Sequence, residues 1–301
     1  MRKDREMRRA AARLLRPVPG ACALALVLGC LTGTAAAQAE PKRGQYLAQA
    51  GGCLACHTEE KKDATPYAGG RALKTPFGTF YGPNITPHPA AGLGRWSEAD
   101  FIRAMRHGER PDGAHYFPAF PYPSFTRITD KDLRDLWAFL RSLPPSDRAN
   151  RTHDLRFPFG LRILVAGWKL LFFTPGTFAG DSQRPAAVNR GDYLVSALSH
   201  CGECHTPRNF LGGPKRDRLL AGSKEGPEGK AVPNITPTRL KKWSDVDLKE
   251  FLLSGLTPDG DVTAEAMGEV VRNTTSQLTA DDLAAMIAYL RALPALPDEP
   301  K

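Results

Sequence analysis

Two stretches of the chain carry the hydrophobic spacing of an amphipathic helix that is stopped by proline. In the first, apolar side chains recur three to four residues apart at Leu133, Trp137 and Leu140, ahead of Pro144. The apolar positions of the second stretch, which precedes Pro294, are Leu283, Met286 and Leu290. This period places the apolar side chains on one face of a helix, and proline cannot continue a helix. No stretch of comparable length alternates as a β-strand does, so the pattern predicts an all-α fold.

The sequence contains an internal repeat, because motifs of the first half return in the same order in the second half. The matching segments are 44–47 (GQYL) with 191–194 (GDYL), 83–87 with 233–237 (both PNITP), and 96–100 (WSEAD) with 243–247 (WSDVD). Serine followed three residues later by an acidic residue is typical of a capped helix start. The repeat therefore predicts two tandem helical units, each of about a hundred residues.

The first 37 residues have the pattern of a secretory signal peptide. A segment with seven Arg and Lys residues, 1–16, precedes the short apolar run 21–31, and small residues follow at 35–37. That run is too short to span a bilayer, which takes about 20 apolar residues. An uncleaved anchor and, through Cys30, a lipoprotein are the alternatives. We expect the mature protein to be periplasmic after signal cleavage.

The formal net charge of +9 comes largely from this leader. Residues 1–37 hold seven basic and two acidic residues, so the remainder has 34 Lys and Arg against 30 Asp and Glu, a net charge of +4. A chain this close to neutral has no basic stripe to neutralise phosphates, which argues against nucleic-acid binding. The composition, with 42% hydrophobic and 24% charged residues, is that of an ordinary globular protein.

The four cysteines that follow the leader form two copies of the pattern Cys-x-x-Cys-His. This pattern is typical of the covalent attachment of c-type haem. On a helical turn, cysteines at i and i+3 face the same way and can form two thioethers, and the next histidine becomes the proximal iron ligand. A disulfide or a zinc site would leave both histidines unexplained. The sequence thus predicts two covalently bound haem c groups, held by Cys53, Cys56 and His57 and by Cys201, Cys204 and His205.

The second half also contains a candidate distal ligand. Met267 follows the Pro-Asp-Gly segment at 258–260, in what we expect to be a loop before the last helix. A methionine thioether opposite histidine raises the reduction potential of a haem, as electron-transfer cytochromes require. The other methionine after residue 190, Met286, falls on the apolar face of the last predicted helix. We therefore predict Met267 as an axial ligand of the second haem.

The first half lacks a methionine at this place. At the same distance from its Pro-Asp-Gly segment, 111–113, stands Phe120, which cannot bind iron. The first haem is then five-coordinate, or it is bound by His115 or by Met105. Met105 falls on the apolar face of a predicted helix, which favours core packing. Imidazole is the usual replacement for a thioether, which makes His115 a candidate sixth ligand.

Between the two units, residues 151–189 are predicted to be a connector with an apolar segment at 161–173. On a helix, its two cations Arg162 and Lys169 share one face and leave the rest apolar. Thirteen residues cannot span a bilayer. The segment therefore packs between the units, or it docks on the inner-membrane surface or a hydrophobic partner. The predicted division is signal peptide 1–37, first cytochrome c domain 38–150, connector 151–189 and second cytochrome c domain 190–301.

Together these motifs resemble the multihaem c-type cytochrome subunits of periplasmic dehydrogenases, including membrane-bound alcohol and gluconate dehydrogenases. The segments that carry the resemblance are 83–87 (PNITP), 116–119 (YFPA), 167–173 (GWKLLFF) and 201–209 (CGECHTPRN). The resemblance covers nearly the whole chain after the leader, and it implies two tandem class I cytochrome c domains, each wrapped around its haem. This sequence departs from it in two respects. It has no third attachment motif, and Phe120 stands where members of the family can carry the ligand methionine.

These features predict a dihaem c-type cytochrome that passes electrons from a periplasmic dehydrogenase towards a downstream acceptor of the respiratory chain. Two haems with different axial ligands would differ in potential and give the transfer a direction. The alternative is a haem peroxidase-like enzyme, in which an open first haem binds peroxide. The apolar loop around Phe120 argues against it, because it offers few acid or base groups beyond His115.

Overall fold

The computed structural model describes residues 39–226 and 229–298, and most of the regular structure in them is helical. The first half contains α1 (Pro41–Ala50), α2 (Cys53–His57), α3 (Glu98–His107), α4 (Tyr122–Phe125) and α5 (Asp130–Ser142). Helix α6 (Arg162–Phe172) lies between the two halves. The second half contains α7 (Ala186–Asp192), a π-helical segment (Tyr193–Leu198), α8 (Gly202–His205), α9 (Pro237–Leu240), α10 (Asp245–Ser254), α11 (Glu265–Asn273) and α12 (Ala280–Ala292). Short 3₁₀ segments lie at Arg216–Arg218 and Thr275–Gln277. The predicted signal peptide lies outside the described residues.

Each half is built on one close helix crossing, α1 on α5 in the first half and α7 on α12 in the second. Glycine makes both crossings possible. A Cβ atom on Gly44 would lie 1.9 Å from the carbonyl oxygen of Asp135, and one on Gly191 would lie 1.9 Å from that of Ala285. These glycines begin the repeated GxYL motifs, so the motif marks a place where two backbones touch.

The helix boundaries predicted from the sequence are confirmed. The Ser97 hydroxyl accepts a hydrogen bond from the Asp100 amide at 3.1 Å, and the Asp100 carboxylate accepts one from the Ser97 amide at 3.0 Å. Ser244 and Asp247 form the same pair at the start of α10, at 3.1 and 2.7 Å. Such reciprocal caps satisfy amides that a helix start leaves unpaired. The two amphipathic stretches form α5 and α12, which both end two residues before a proline.

The mostly helical class is confirmed, but a small antiparallel sheet accompanies the helices, which the sequence pattern did not predict. Strands β1 (Ala72–Thr75) and β2 (Gly78–Tyr81) form a hairpin, and β3 (Asp154–Leu155) pairs with the other edge of β2. Strands of four and two residues are too short to show the period-two alternation that identifies a strand. The third strand comes from the predicted connector, so this part of it belongs structurally with the first half.

Buried side chains from both halves form one shared hydrophobic cluster. Leu47 and Leu133 of the first half and Leu194 and Leu283 of the second are almost fully buried in it. Met105 lies in the same cluster, as its place on the apolar face of α3 predicted. From Ala39 onward the chain forms one compact unit. None of the helices among the described residues is long and apolar enough to cross a membrane.

A buried hydrogen-bond network joins the first half to the second. The Asp132 carboxylate at the start of α5 accepts a hydrogen bond from Arg43 of α1 at 2.6 Å. The Tyr193 hydroxyl of the second half donates to the same carboxylate at 2.6 Å, and it accepts from the Thr129 amide at 3.2 Å. Asp132 and Tyr193 are both buried. A tyrosine of the second half thus completes the helix start of the first.

The repeat produces an equivalent network in which an aspartate of the second half is bound by a tyrosine of the first half. Asp282 at the start of α12 accepts hydrogen bonds from Arg190 at 2.7 Å and from Tyr46 of the first half at 2.6 Å. Burial alone would raise the pKa of Asp282, but the hydrogen bonds from Arg190 and Tyr46 hold it below its usual value. The stability that this carboxylate contributes is therefore lost only as the pH falls through that lowered pKa. The two halves exchange tyrosines, which fixes their relative orientation.

We expect Tyr193→Phe to lower the free energy of unfolding by about 1.5–3 kcal/mol, because it removes a buried hydrogen bond to a charged group. Denaturant unfolding followed by far-ultraviolet circular dichroism measures this change. Tyr46→Phe is the matched control, and it should lose less because Tyr46 is only partly buried. An unfolding midpoint of Tyr193→Phe equal to that of the wild type would show that the tyrosine exchange does not stabilise the fold.

Candidate haem sites

Both Cys-x-x-Cys-His motifs lie on short helical turns of the same construction, α2 and α8. The residue before the first cysteine has left-handed backbone geometry in each, with φ of 63° at Gly52 and 41° at His200. The four cysteines Cys53, Cys56, Cys201 and Cys204 form no disulfide. In each motif the two sulfurs therefore lie within one helical turn, as two thioethers to one porphyrin edge require.

The histidines of the two motifs are oriented by backbone carbonyl groups. Nδ1 of His57 lies 2.7 Å from the carbonyl oxygen of Pro83, and Nδ1 of His205 lies 2.7 Å from that of Pro233. A carbonyl only accepts, so Nδ1 carries the proton and Nε2 keeps the lone pair that an iron ligand needs. Burial lowers the pKa of both imidazoles, which keeps them neutral.

The carbonyl that orients His57 belongs to the PNITP loop, and a buried asparagine holds this loop in shape. The Asn84 side-chain oxygen accepts hydrogen bonds from the Thr86 amide and hydroxyl at 2.9 and 2.7 Å. Its amide nitrogen donates to the carbonyl oxygen of Ser146 at 2.8 Å. This bond ties the loop to the segment that follows α5.

In the second half Asn234 makes the same contacts. Its side-chain oxygen accepts from the Thr236 amide and hydroxyl at 2.8 and 2.7 Å, and its nitrogen donates to the carbonyl oxygen of Leu296 at 2.9 Å. From the sequence, PNITP was only a marker of the repeat. The sequence signal for the structural role of this segment was that asparagine stands at the same place in both copies.

Partly buried apolar side chains that pack against the core recur at equivalent positions of the two halves. The pairs are Cys53 and Cys201, Ile85 and Ile235, Trp96 and Trp243, and Leu143 and Leu293. Each half thus offers an apolar surface together with one neutral imidazole and two free thiols. This combination fits a covalently attached, largely apolar macrocycle whose iron takes a nitrogen ligand.

The other chemistries of a cysteine pair fit less well. Burial raises the pKa of Cys53 and of Cys201 to about 12, so both are neutral thiols in this fold at neutral pH. A structural zinc site needs four ligands, drawn from Cys, His, Asp and Glu side chains. Across residues 39–226 and 229–298, no group of three or more His, Cys, Asp or Glu side chains is placed to hold a metal ion.

Met267 lies on α11 (Glu265–Asn273), which corrects the expectation that it stands in a loop. Good helix formers surround it in the sequence, and these outweigh the turn signal of the preceding Pro-Asp-Gly segment. Its helix packs against α2 of the first half. Glu269 on α11 accepts a hydrogen bond from Arg71 of the first half at 2.8 Å. Met267 as an iron ligand stays a prediction.

The backbone register supports the equivalence of Phe120 and Met267. In each half, an amide after the Pro-Asp-Gly turn donates back to the glycine that ends the preceding helix. These bonds run from Tyr116 to Gly108 and from Thr263 to Gly255, both at 2.9 Å. Phe120 and Met267 each follow four residues later. Phe120 then lies in the loop before α4, whereas Met267 lies on α11, so the equivalence of the two positions stays a prediction.

His115 is held by helix α6. Its Nδ1 lies 3.0 Å from the Lys169 ammonium group, and its carbonyl oxygen accepts a hydrogen bond from Arg162 at 2.5 Å. An imidazole that accepts from an ammonium at Nδ1 carries its proton on Nε2, so neither nitrogen offers a lone pair to iron in this arrangement. His115 as the sixth ligand of the first haem stays a prediction that these contacts do not favour.

The segments that lead into the two attachment turns touch each other, which the sequence did not indicate. The Ser199 hydroxyl, two residues before Cys201, donates to the carbonyl oxygen of Ala50 at 2.9 Å, and both residues are buried. Burial raises the pKa of Cys56 to about 11, and the nearby Glu269 carboxylate adds to this rise while Arg71 opposes it. The two candidate sites are therefore neighbours inside one packed unit.

Comparison with known proteins identifies the family. Residues 41–144 match the family described as cytochrome c. The chain is also 49% identical over 263 residues to a protein of Cereibacter sphaeroides named diheme cytochrome c-type, covering 85% of this chain and 87% of the relative. The chain belongs to the cytochrome c family.

Two further relatives of this cytochrome are named as subunits of dehydrogenases. One is the fructose dehydrogenase cytochrome subunit of Gluconobacter japonicus, 37% identical over 94% of this chain and 60% of the relative. The other is the cytochrome c subunit of the quinone alcohol dehydrogenase of Gluconobacter oxydans, 38% identical over 91% of this chain and 59% of the relative. The chain thus spans about three fifths of each of these two subunits.

Membership of this family settles the class of cofactor and of activity. Members carry covalently bound haem c and transfer electrons, and the two Cys-x-x-Cys-His motifs of this cytochrome fit such attachment. The relatives are named as a diheme cytochrome and as cytochrome subunits of dehydrogenases, and these names give no support to the haem peroxidase alternative.

In this cytochrome we expect Asn234→Ala to lower the free energy of unfolding by about 1–3 kcal/mol, because the Leu296 carbonyl and the Thr236 amide lose their buried partner. Asn84→Ala in the other half should cost a similar amount. Thermal unfolding of the haem-loaded protein measures both. Wild-type melting temperatures for both variants would show that the asparagines do not hold the loops.

Proposed function

We propose that this cytochrome is a dihaem electron carrier, built of two tandem class I cytochrome c domains, that relays electrons from a periplasmic dehydrogenase towards the respiratory chain. The observation that carries the proposal is the hydrogen bond from Ser199 to Ala50, which joins the segments that lead into the two attachment turns. Two haems attached at neighbouring turns of one packed unit give an electron a short path through the protein.

The roles of the protein side chains follow from their contacts. Haem, when bound, supplies the one-electron iron couple. His57 and His205 are held neutral and oriented by the carbonyls of Pro83 and Pro233, so Nε2 of each imidazole would be the nitrogen that holds the iron. Fixed ligands need little rearrangement when the charge of the iron changes, which suits rapid electron transfer.

The exchanged tyrosines give the relay a fixed geometry. Tyr193 binds Asp132 of the first half and Tyr46 binds Asp282 of the second, so rotation of one half against the other would break hydrogen bonds to two partly or fully buried carboxylates. Such bonds contribute about 1.5–3 kcal/mol each. These contacts would therefore fix the distance between the two attachment sites.

The dehydrogenase partner is supported by the names of the relatives, which are cytochrome subunits of fructose and alcohol dehydrogenases. The periplasmic location is supported by the leader pattern of residues 1–37 and by the attachment motifs. Met267 as an axial ligand of the second haem is supported by its place after the Pro-Asp-Gly segment and by the chemistry of its thioether.

Deletion of the gene from its host tests the proposed role. With sugars, alcohols and other dehydrogenase substrates supplied one at a time, we expect oxygen uptake of intact cells on at least one substrate to fall. The wild-type gene should restore this respiration, and Cys53→Ala/Cys56→Ala should not. Unchanged respiration on every substrate, together with peroxide turnover by the purified protein, would favour the peroxidase alternative.

A further inference from the structure

Helix α6 covers a surface of the first half that lies at the end of α3. Lys169 donates to the carbonyl oxygen of His107, the last residue of α3, at 2.6 Å, and it lies 3.3 Å from the Glu109 carboxylate. Arg162 donates to the carbonyl oxygen of His115, in the turn that follows α3. The two cations of α6 thus hold this helix across the end of another helix and the turn beside it.

The second half contains the same helix end and turn. Glycine ends both α3 and α10 in the left-handed conformation, with φ of 62° at Gly108 and 81° at Gly255, and in each half an amide of the turn donates back to this glycine. Residues 98–116 thus correspond to residues 245–263, and α10 takes the place of α3. The main packing partners of α10 are α11, α12 and the 3₁₀ segment between them, all in its own half. The surface that α6 covers in the first half therefore has a counterpart in the second half.

The counterpart in the second half is exposed and apolar. Val246 and Leu253 are 76% and 36% exposed, and they lie two turns apart on one side of α10. Leu256 and Val262, 39% and 68% exposed, pair across the turn that follows. We call these four residues the α10 surface. Single exposed apolar residues are ordinary, but a contiguous set marks an interaction surface.

The α10 surface differs from its counterpart at positions that α6 contacts. In the first half, Glu109 and His115 lie 3.3 and 3.0 Å from the Lys169 ammonium group. Leu256 and Val262 take their places in the second half. A helix seated on the α10 surface would therefore gain apolar burial where α6 gains polar contacts.

The segment that carries the α10 surface is acidic. Residues 245–263 hold five Asp and Glu against one Lys, a net charge of −4, whereas residues 98–116 have a net charge of −1. The chain after residue 37 has a net charge of +4, so negative charge is concentrated in this segment. Opposite charges steer two proteins together, and an anionic lipid surface repels negative charge. An acidic, apolar surface therefore fits a protein segment that is basic and apolar.

We propose that the α10 surface binds a basic amphipathic helix of a partner protein, as the equivalent surface of the first half binds α6. The apolar side chains of the partner helix pack on the four residues of the α10 surface, and its Lys or Arg side chains face the surrounding carboxylates. The helix comes from another chain, because the cations of α6 are already bound to the first half. This binding does not depend on the relay of electrons.

Fluorescence anisotropy of a labelled peptide, titrated with the haem-loaded protein, tests this proposal. The probe is a synthetic peptide of residues 160–175, which contains the sequence of α6 and is basic and amphipathic. We expect saturable binding that weakens as the salt concentration rises. Leu256→Gln/Val262→Gln should weaken the binding at least about ten-fold, because it removes two apolar side chains that the helix buries. Arg162→Gln/Lys169→Gln in the peptide should also weaken the binding and remove its dependence on salt.

Leu164→Gln/Leu170→Gln in the protein is the matched control, since both leucines are exposed but lie on α6, outside the α10 surface. It should bind the peptide like the wild type, and all three proteins should have the same haem content and circular dichroism. A lack of saturable binding, or equal binding by Leu256→Gln/Val262→Gln and the wild type, would overturn the proposal and leave the electron relay untouched. A wild-type dimer in sedimentation velocity that Leu256→Gln/Val262→Gln abolishes would overturn it too, because the α10 surface would then bind a second copy of this chain.

Discussion

Cys201→Ala/Cys204→Ala is expected to carry one covalently bound haem per chain where the wild type carries two. The substitutions remove both sulfurs of the second motif, and no other cysteine of the described residues lies on α8 or next to it in sequence. Haem that is only ligated by His205 dissociates when the protein is denatured, whereas thioether-bound haem does not. Intact-protein mass measured under denaturing conditions counts the attached haems directly.

The same variant should also lose stability in its second half. A unit of about a hundred residues buries a small core, and the macrocycle supplies part of it. Cys53→Ala/Cys56→Ala is the matched variant, and it should keep the second haem and lose the first. If either variant retains two covalent haems, the assignment of its motif is wrong.

Met267→Ala should leave both haems attached and lower the reduction potential of one of them. The thioether stabilises the reduced iron, and axial ligands tune haem potentials over a range of about 0.8 V. We expect a fall that is a substantial fraction of that range, with the potential of the other haem unchanged. The opened site should then bind carbon monoxide when reduced. An optical redox titration, with and without the gas, measures both effects.

The control for this prediction is Met286→Leu. Met286 is buried on α12, and a swap that conserves volume costs less than about 1.5 kcal/mol. Both haem potentials should stay at their wild-type values in this variant. If Met267→Ala titrates like the wild type, Met267 is not an iron ligand. Another group would then be the sixth ligand of the second haem.

Local signals in the sequence predicted much of this fold. The caps at Ser97 and Ser244 and the prolines after α5 and α12 act within one or two helical turns, so the sequence alone determines where these helices start and end. The attachment motifs are equally local, because both thioethers and the proximal histidine come from five consecutive residues. The internal repeat extended these predictions from one half to the other.

The features that escaped prediction depend on contacts between distant segments. Strand β3 pairs with β2 across more than seventy residues, and two-residue strands have no pattern of their own. The exchange of Tyr46 and Tyr193 joins residues of opposite halves, although both tyrosines stood in the repeated GxYL motif. The turn signal before Met267 was outweighed by the helix formers around it.

The orientation of α6 shows a further limit of sequence patterns. The spacing of Arg162 and Lys169 correctly placed both cations on one face of a helix. Surface helices usually turn their charged face to water, but here His107 and His115 offer carbonyl oxygens that hold these cations against the protein. The hydrophobic spacing of a sequence shows that a helix has two faces. The groups that the tertiary structure places beside the helix decide which face is buried.

A reductive titration of the purified, haem-loaded protein tests the central claim most directly, because it counts electrons and potentials together. We predict that each chain takes up two electrons in two separate one-electron steps, with both steps visible in the absorbance of c-type haem. The reduced protein should not turn over hydrogen peroxide. Uptake of a single electron per chain, or peroxide turnover sustained by one of the haems, would contradict the dihaem relay.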